Sequence, residues 1–334
     1  MLFKNLKNTW MKKAAVITAT VLVSGNLSTF VNIYASDTVS EEAAVVSETN
    51  TAENTLTEDL NSLIDELNPE DILWPEMEED ILEGKDVVNI LLIGQDSRDT
   101  ETKQRSDTMI LATLNMEKNK VSLTSFMRDL YVQIPGYGSN RINAAYPFGG
   151  MELLDEVIET NFGIQIDGNI EVDFSGFQKI IDLLEGVEIE LSQAEIDYIN
   201  KSVYNADAPV LTEGVNLLNG EQALAHARNR SVGNSDYDRT ERQREVVLAC
   251  FEKVKETNVF KLLGMVDDAF NMIETDLTYG ELLGYAKNIL DMGFDSVESY
   301  RIPQDGAFYD ATISGMMVLV PDLTMCRDYL VEIL

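Results

Sequence analysis

The sequence predicts one layered α/β domain over residues 86–334: a central mixed β-sheet with helices on both faces, preceded by an N-terminal export or anchor segment and an acidic stalk. Three observations carry this. Apolar runs of strand length recur and stop at turn residues, capped helical stretches lie between them, and no linker-like composition interrupts the chain after residue 86. Near-continuous apolar runs mark strands buried on both faces, and their alternation with helices points to a sheet sandwiched between helical layers.

The first strand is expected at 87–93, V-V-N-I-L-L-I, ended by Gly94. Further strands are expected at 109–114, 121–126, around 170–172 and at 187–191. Helices are expected at 150–161 and at 174–184. Asp173 precedes the second of these, and its side chain can accept a hydrogen bond from an unpaired amide of the first turn. Asn219 with Gln222 opens a helix over 220–227. Helices over 260–272 and 277–292, strands at 297–302 and near 316–320, and a final helix from Pro321 complete the domain.

Charge divides the chain. There are 25 Lys and Arg against 58 Asp and Glu, a formal net charge of -33. Residues 36–86 hold seventeen acidic residues and the single Lys85, a net of -16, as expected of a solvated stalk whose first part is disordered and whose later part holds one short helix. Before it, Lys4, Lys7, Lys12 and Lys13 precede an apolar run over 14–23 with no acidic residue among them, an export signal. Ile33-Tyr34-Ala35 offers a cleavage site, while 14–34 read as one span has about the twenty residues a bilayer requires. Signal peptide and signal-anchor therefore both stand. Either puts the remainder outside the cell, held at the membrane or secreted. The segments are thus 1–36 signal or anchor, 37–85 acidic linker and 86–334 folded domain, with its core motifs in 87–255.

Such an acidic exported chain with no basic stripe is a poor partner for nucleic acid. His226 is the only histidine, which leaves little material for a His-rich metal site or a Ser-His-Asp triad. Cys250 and Cys326 sit in apolar helical surroundings and are expected as buried free thiols.

Against this acidity, residues 228–244 collect five arginines. Arginine grips planar or phosphate oxygens two at a time, so the cluster points to an anionic ligand. Asp238 and Glu241 read as a capping box, and Val246, Val247, Cys250 and Val254 as the buried stripe of the helix that follows. Counting back along the stripe turns Gln243 and Arg239 inward. An inward arginine needs an anion, supplied by a ligand or by an internal carboxylate such as Asp236. If the chain around Arg228 and Arg230 is extended, both project from one face and suit a phosphate or pyrophosphate. Asp96 follows the first strand and Asp107 precedes the second, so both can reach the crevice at the strand ends, where two carboxylates beside arginines suit a hard divalent cation such as Mg2+. Arg98, Arg105 and the pair Arg128-Asp129 add charge at equivalent ends.

The ordered set Gly94-x-Asp96-x-Arg98, Arg105-Ser-Asp107-Thr, Ser125-x-x-Arg128-Asp129, Arg141-Ile-Asn143, Asp173-x-x-Gly176-Phe177, Leu218-Asn-Gly220-x-x-Ala223-Leu224, Arg228-x-Arg230 and Asp236-x-x-Arg239-x-x-Arg242-Gln243 resembles the LytR-CpsA-Psr family of cell-envelope proteins. The resemblance implies an extracytoplasmic phosphotransferase that moves a glycopolymer, such as teichoic acid or capsule, from a polyprenyl pyrophosphate carrier onto peptidoglycan through a phosphodiester at the membrane surface. It implies that Asp96 and Asp107 hold Mg2+, that Arg128, Arg141, Arg228, Arg230, Arg239 and Gln243 bind the pyrophosphate, and that Arg98 and Asp236 orient them. Asp96, Arg128, Asp129 and Arg239 are the catalytic candidates, with Asp129 or Asp96 taking the acceptor proton. Two positions depart from the family pattern: Met127 stands where proline is usual before Arg-Asp, and Arg141 where lysine is usual before Ile-Asn. The rival readings are a pyrophosphatase acting on the same lipid and a noncatalytic lipid-carrier binding protein.

Overall fold

The computed structural model describes residues 66–75, 86–95, 106–205, 208–233, 235–293 and 296–334, which belong to one compact unit, Glu66–Leu334. The expected export segment 1–36 and most of the acidic stalk lie outside the described residues. Residues 66–75, which the sequence assigns to the stalk, contact the C-terminal part of the unit: the Leu67 amide donates to Thr312 O at 2.9 Å and the Gly315 amide to Glu66 Oε1 at 2.7 Å. Their one helical feature is a single 3-10 turn at Pro69–Asp71.

In chain order the elements are β1 (Val87–Gln95), β2 (Ser106–Asn115), β3 (Lys120–Phe126), β4 (Tyr131–Ile134), β5 (Gly138–Arg141), helix α1 (Ala145–Phe162), β6 (Gly168–Val172), α2 (Phe174–Leu183), β7 (Val187–Leu191), α3 (Gln193–Ser202), β8 (Gly214–Leu218) and α4 (Gly220–Ala227). There follow α5 (Ser235–Lys255), α6 (Val259–Phe270), β9 (Glu274–Thr275), α7 (Tyr279–Met292), β10 (Val297–Ile302), β11 (Phe308–Ile313), β12 (Met316–Pro321) and α8 (Leu323–Ile333).

The six-stranded sheet runs β10-β3-β2-β1-β6-β9 and is mixed, as expected. β1, β2 and β3 pair antiparallel, while β6 joins β1 and β10 joins β3 in parallel. This order brings the end of β1, the start of β2 and the end of β3 to one edge of the sheet. β1 is buried on both faces because its alternating residues meet different layers. Leu91 and Ile93 join Met109, Leu111, Phe126 and residues of α1 and α8 on one side. Ile110, Ala112 and Leu123 pack with Val247, Leu248 and Phe251 of α5 on the other. A smaller cluster of Ile181, Val187, Ile199, Leu218 and Ala223 joins α2, α3, α4 and the antiparallel β7–β8 pair, and Val246 of α5 closes it.

Several boundaries differ from the sequence reading. α1 begins at Ala145, and the expected start at residue 150 marks a kink where Gly150 takes φ 70° and ψ -151°. The final helix starts at Leu323 behind the capping Asp322, because Pro321 closes β12. α5 starts at Ser235, so Asp238 lies inside the first turn and is not the cap that pairs with Glu241. The caps at Asp173 and Asn219 stand as read, accepting from Gly176 N and Gln222 N at 2.7 and 2.9 Å. Both cysteines are free thiols, Cys326 fully buried and Cys250 half-buried. Among the described residues no helix is long and apolar enough to cross a membrane.

Candidate functional site

The sheet edge formed by β1, β2 and β3 carries the charged groups. Asp107 is the second residue of β2, and Arg128 and Asp129 follow β3 with only Met127 between. At the adjoining end of β1, a Cβ on Gly94 would come within 2.9 Å of Thr108 Cβ, so only glycine lets β1 and β2 meet this closely. The hairpin β4–β5 ends at Arg141, and α5 brings Asp236 and Arg239 on its first turns.

These groups form one network centred on Asp236. Its Oδ2 accepts from Arg128 Nε at 3.1 Å and from Arg239 Nη2 at 3.0 Å, and its Oδ1 lies 3.5 Å from Arg230 Nε. Arg128 Nη1 also donates to Asp107 Oδ1 at 3.0 Å, and Arg230 Nη2 lies 3.9 Å from Asp107 Oδ2. Asp129 continues the network, with Oδ2 3.6 Å from Arg128 Nε and Oδ1 3.2 Å from Arg141 Nη1. Four arginines and three carboxylates are thus interleaved within ion-pair distance.

Electrostatics separates the arginines. Burial works against the charge of Arg128, but Asp236, Asp107 and Asp129 outweigh it and raise its pKa. Arg239 is only 3% exposed; burial pushes its pKa down to about 10, Arg230 and Arg128 add to the effect and Asp236 opposes it. Its buried Nε has no hydrogen-bond partner among the described residues. A buried guanidinium with an unmet donor beside two like charges is poised for a further anion.

The inward orientation of Arg239 therefore holds, and of the two anions open to it the internal one, Asp236, is present. Gln243 is half-buried, and no hydrogen bond joins it to the three carboxylates among the described residues. Arg228 and Arg230 do not form a parallel fork: Arg228 closes α4 with φ -95° and ψ -4°, not extended, and its guanidinium lies 4.3 Å from the centre of the Phe174 ring. Only Arg230 reaches the network. Asp96, Arg98 and Arg105 lie outside the described residues.

Two buried arginines escaped the helical count. Arg242 bonds Glu195 Oε1 at 2.8 Å and the carbonyls of Asn229 and Val232 at 3.2 and 2.9 Å, tying the Arg230 loop to α5. Arg244 donates to Ser125 and Ser299 across the sheet. Counting from a single apolar stripe missed them because α5 is covered on more than one flank.

The two departures from the family pattern have structural roles. The Met127 amide donates to Ile302 O at 2.9 Å, a bond that proline lacks the N–H to make. Arg141 uses its fork on two partners, Asp129 through Nη1 and Met317 O through Nη2, where lysine offers a single charged centre.

Fold and site together define a mixed-sheet α/β protein with arginines and carboxylates interleaved at its strand ends. The LytR_cpsA_psr family model matches residues 33–328, and the chain belongs to that family. The polyisoprenyl-teichoic acid–peptidoglycan teichoic acid transferase TagU of Oceanobacillus iheyensis is 38% identical over 206 residues, 59% of this chain and 61% of that protein. The transferase TagT of Bacillus subtilis is 32% identical over 225 residues, 66% of this chain and 68% of its own. Among solved structures, TagT bound to LI-WTA is 29% identical with a TM-score of 0.62, over 77% of this chain and 92% of that one. The structure of YwtF (TagT) with bound octaprenyl pyrophosphate lipid is 28% identical with a TM-score of 0.58, over the same shares.

Proposed function

We propose that this chain is an extracytoplasmic phosphotransferase, attached to or released from the cell membrane, that moves a glycopolymer from a polyprenyl pyrophosphate carrier onto peptidoglycan. The observation that carries this reading is the Asp236 network, in which Arg128, Arg230 and Arg239 converge on one carboxylate beside Asp107. Relatives named as teichoic acid transferases, and the related structure holding a prenyl pyrophosphate, support it.

The chemistry asks little covalent help of the protein. An acceptor hydroxyl attacks the phosphorus that carries the glycan; the new O–P bond forms as the bond to the bridging oxygen breaks, and polyprenyl phosphate leaves with that electron pair. Charge spreads over the nonbridging oxygens, and guanidinium groups fixed beforehand stabilise it without rearranging. Arg128, Arg230 and Arg239 would take these oxygens, with Arg141 flanking them. The hydroxyl proton would pass to Asp129 or Asp96.

Asp107 offers an oxygen donor of the kind Mg2+ prefers, and its Oδ2 is held only loosely, 3.9 Å from Arg230. Together with Asp96 it would hold the ion, which when bound supplies positive charge to the pyrophosphate oxygens. Nucleic acid has no place in this reading.

The test incubates the full chain with a polyprenyl pyrophosphate-linked glycan, Mg2+ and peptidoglycan. Glycan covalently attached to peptidoglycan is expected. Phosphate released with no attached glycan would replace the transferase reading with hydrolysis, and carrier binding without turnover would replace it with a binding role.

A further inference from the structure

Residues 66–75, read from the sequence as stalk, are built into the folded unit. At their middle the Pro69–Asp71 turn is capped by Asn68, whose Oδ1 accepts from the Glu70 amide at 3.2 Å. On one side of the turn Leu67, and on the other Ile72 and Trp74, pack against a single apolar cluster of Tyr131, Ile313, Val318 and Val320. Leu73, between the last two, is 85% exposed, so the segment presents its apolar side chains inward by alternation. It forms a strap across the β11–β12 hairpin and β4.

Two routes lead from the strap to Arg141. The first is hydrogen-bonded: the Leu67 amide donates to Thr312 O at 2.9 Å, Thr312 pairs with Met317 across the hairpin, and Met317 O accepts from Arg141 Nη2. The second runs through rings: Trp74 stacks on Tyr131 with centroids 6.4 Å apart, and Tyr131 is the β4 residue opposite Arg141. β12 also supports the partner of Arg141. The Leu319 amide donates to Asp129 O at 2.9 Å, beside the bridge between Leu319 and Leu130. Strap, hairpin and the Asp129–Arg141 ion pair therefore follow one another in space.

Arg141 needs this backing. β5 pairs with β4 alone, and the buried Arg141 Nε has no hydrogen-bond partner among the described residues. Its guanidinium is held by Asp129 and by Met317 O. Asp129 competes with an incoming anion for the guanidinium, whereas the neutral carbonyl of Met317 occupies one donor and leaves the others free. The carbonyl is thus the contact that keeps Arg141 aimed while an anion binds. A long side chain whose support loosens must be ordered at the moment of binding, which weakens affinity.

We propose that residues 66–75 are a positioning strap, in which Leu67 and Trp74, acting through the β11–β12 hairpin and Tyr131, hold Arg141 and Asp129 in the geometry that receives a phosphate-like anion. The proposal rests on the transferase reading only in that Arg141 meets the anion. The end of the stalk is then part of the framework of the site.

Titration calorimetry of the full chain with inorganic pyrophosphate tests it. Trp74→Ala is expected to weaken binding about fivefold, Trp74→Phe, which keeps a ring against Tyr131, to restore most of the affinity, and Leu73→Ala to leave it unchanged. Arg141→Ala should weaken binding by itself, and adding Trp74→Ala to it should cost little more, because the strap acts through that side chain. A strap that merely stabilised the fold would lower the unfolding temperature in both backgrounds without this non-additivity. Equal weakening by Trp74→Ala in both backgrounds, or no weakening by either single change, overturns the proposal. Amide hydrogen exchange with no anion present gives an independent measurement. The Leu319 amide should exchange about tenfold faster in Trp74→Ala, a larger factor than for the amides of β1. Unchanged Leu319 exchange overturns the proposal as well. If pyrophosphate fails to bind the wild type, the anion site falls, and the Leu319 exchange decides the strap by itself.

Discussion

Arg128 Nε donates to Asp236 Oδ2 at 3.1 Å although 108 residues separate them in the chain. The same oxygen accepts from Arg239 Nη2 at 3.0 Å. One carboxylate oxygen therefore joins the end of β3 to the first turns of α5, and Asp236 is a positioning residue for the arginines around it.

Asp236→Ala is expected to lower transfer by about a hundredfold, as misplaced catalytic groups do. It should also cost about 1–3 kcal/mol of stability, because Arg239 stays buried without its partner. Steady-state kinetics and thermal unfolding check the two effects. A fall in stability with unchanged turnover would remove Asp236 from the site.

Arg128→Ala is expected to reduce turnover by about a hundredfold or more while the protein stays folded. Arg128→Lys should recover only part of that loss, because a single ammonium cannot reach Asp107 and Asp236 as the guanidinium does. Wild-type rates in either variant would sink the assignment of the anion site.

Asp107→Asn should weaken Mg2+ binding, read directly by calorimetry in the absence of substrate. Unaltered Mg2+ affinity would remove Asp107 from the ion's ligands.

Away from the network, Asp155 of α1 faces Asn169 of β6, which donates to it at 2.8 Å. Burial raises the Asp155 pKa from 3.8 to about 7, with Asp276 and Glu159 adding to the rise and Asn169 opposing it. A carboxyl whose folded pKa lies above its unfolded value favours the fold fully below the unfolded value, and this contribution is lost as pH rises through the folded one. Unfolding temperatures should therefore fall between pH 4 and 7, and Asp155→Asn should flatten that dependence. An identical pH profile in the variant would contradict it.

Arg242 holds the Arg230 loop, so Arg242→Ala is expected to cost about 2–4 kcal/mol and to raise the KM for carrier as well, measured by chemical unfolding and by kinetics. Burial opposes the charge of Glu195, yet Arg242 and Ser192 hold its pKa below the usual value. That contribution is present above the unfolded pKa and lost as pH falls through the depressed one.

Five of the six strands of the central sheet were legible because they carry apolar runs, as in 87–93 and 109–114, or apolar alternation, as in Val121 and Leu123, whereas the two-residue β9 offers too short a pattern to read. The β4–β5 hairpin was not, since β5 reads G-S-N-R and owes its shape to Gly136 and Gly138 at φ 77° and 79°, not to apolar alternation. Helix α3 escaped for a related reason: of its ten residues only Ile196 and Ile199 are buried, too few to mark a face. In the site, periodicity turned Arg239 inward correctly. It could not foresee Arg228 stacking on Phe174, because that depends on where α2 ends up beside α4.

The carboxylates interleaved with the arginines bear on product release. Asp236, Asp107 and Asp129 stand within ion-pair distance of Arg128, Arg141, Arg230 and Arg239. Their negative charge answers that of the arginines with no anion bound, so a departing phosphate would not strand four bare cations in a half-buried site.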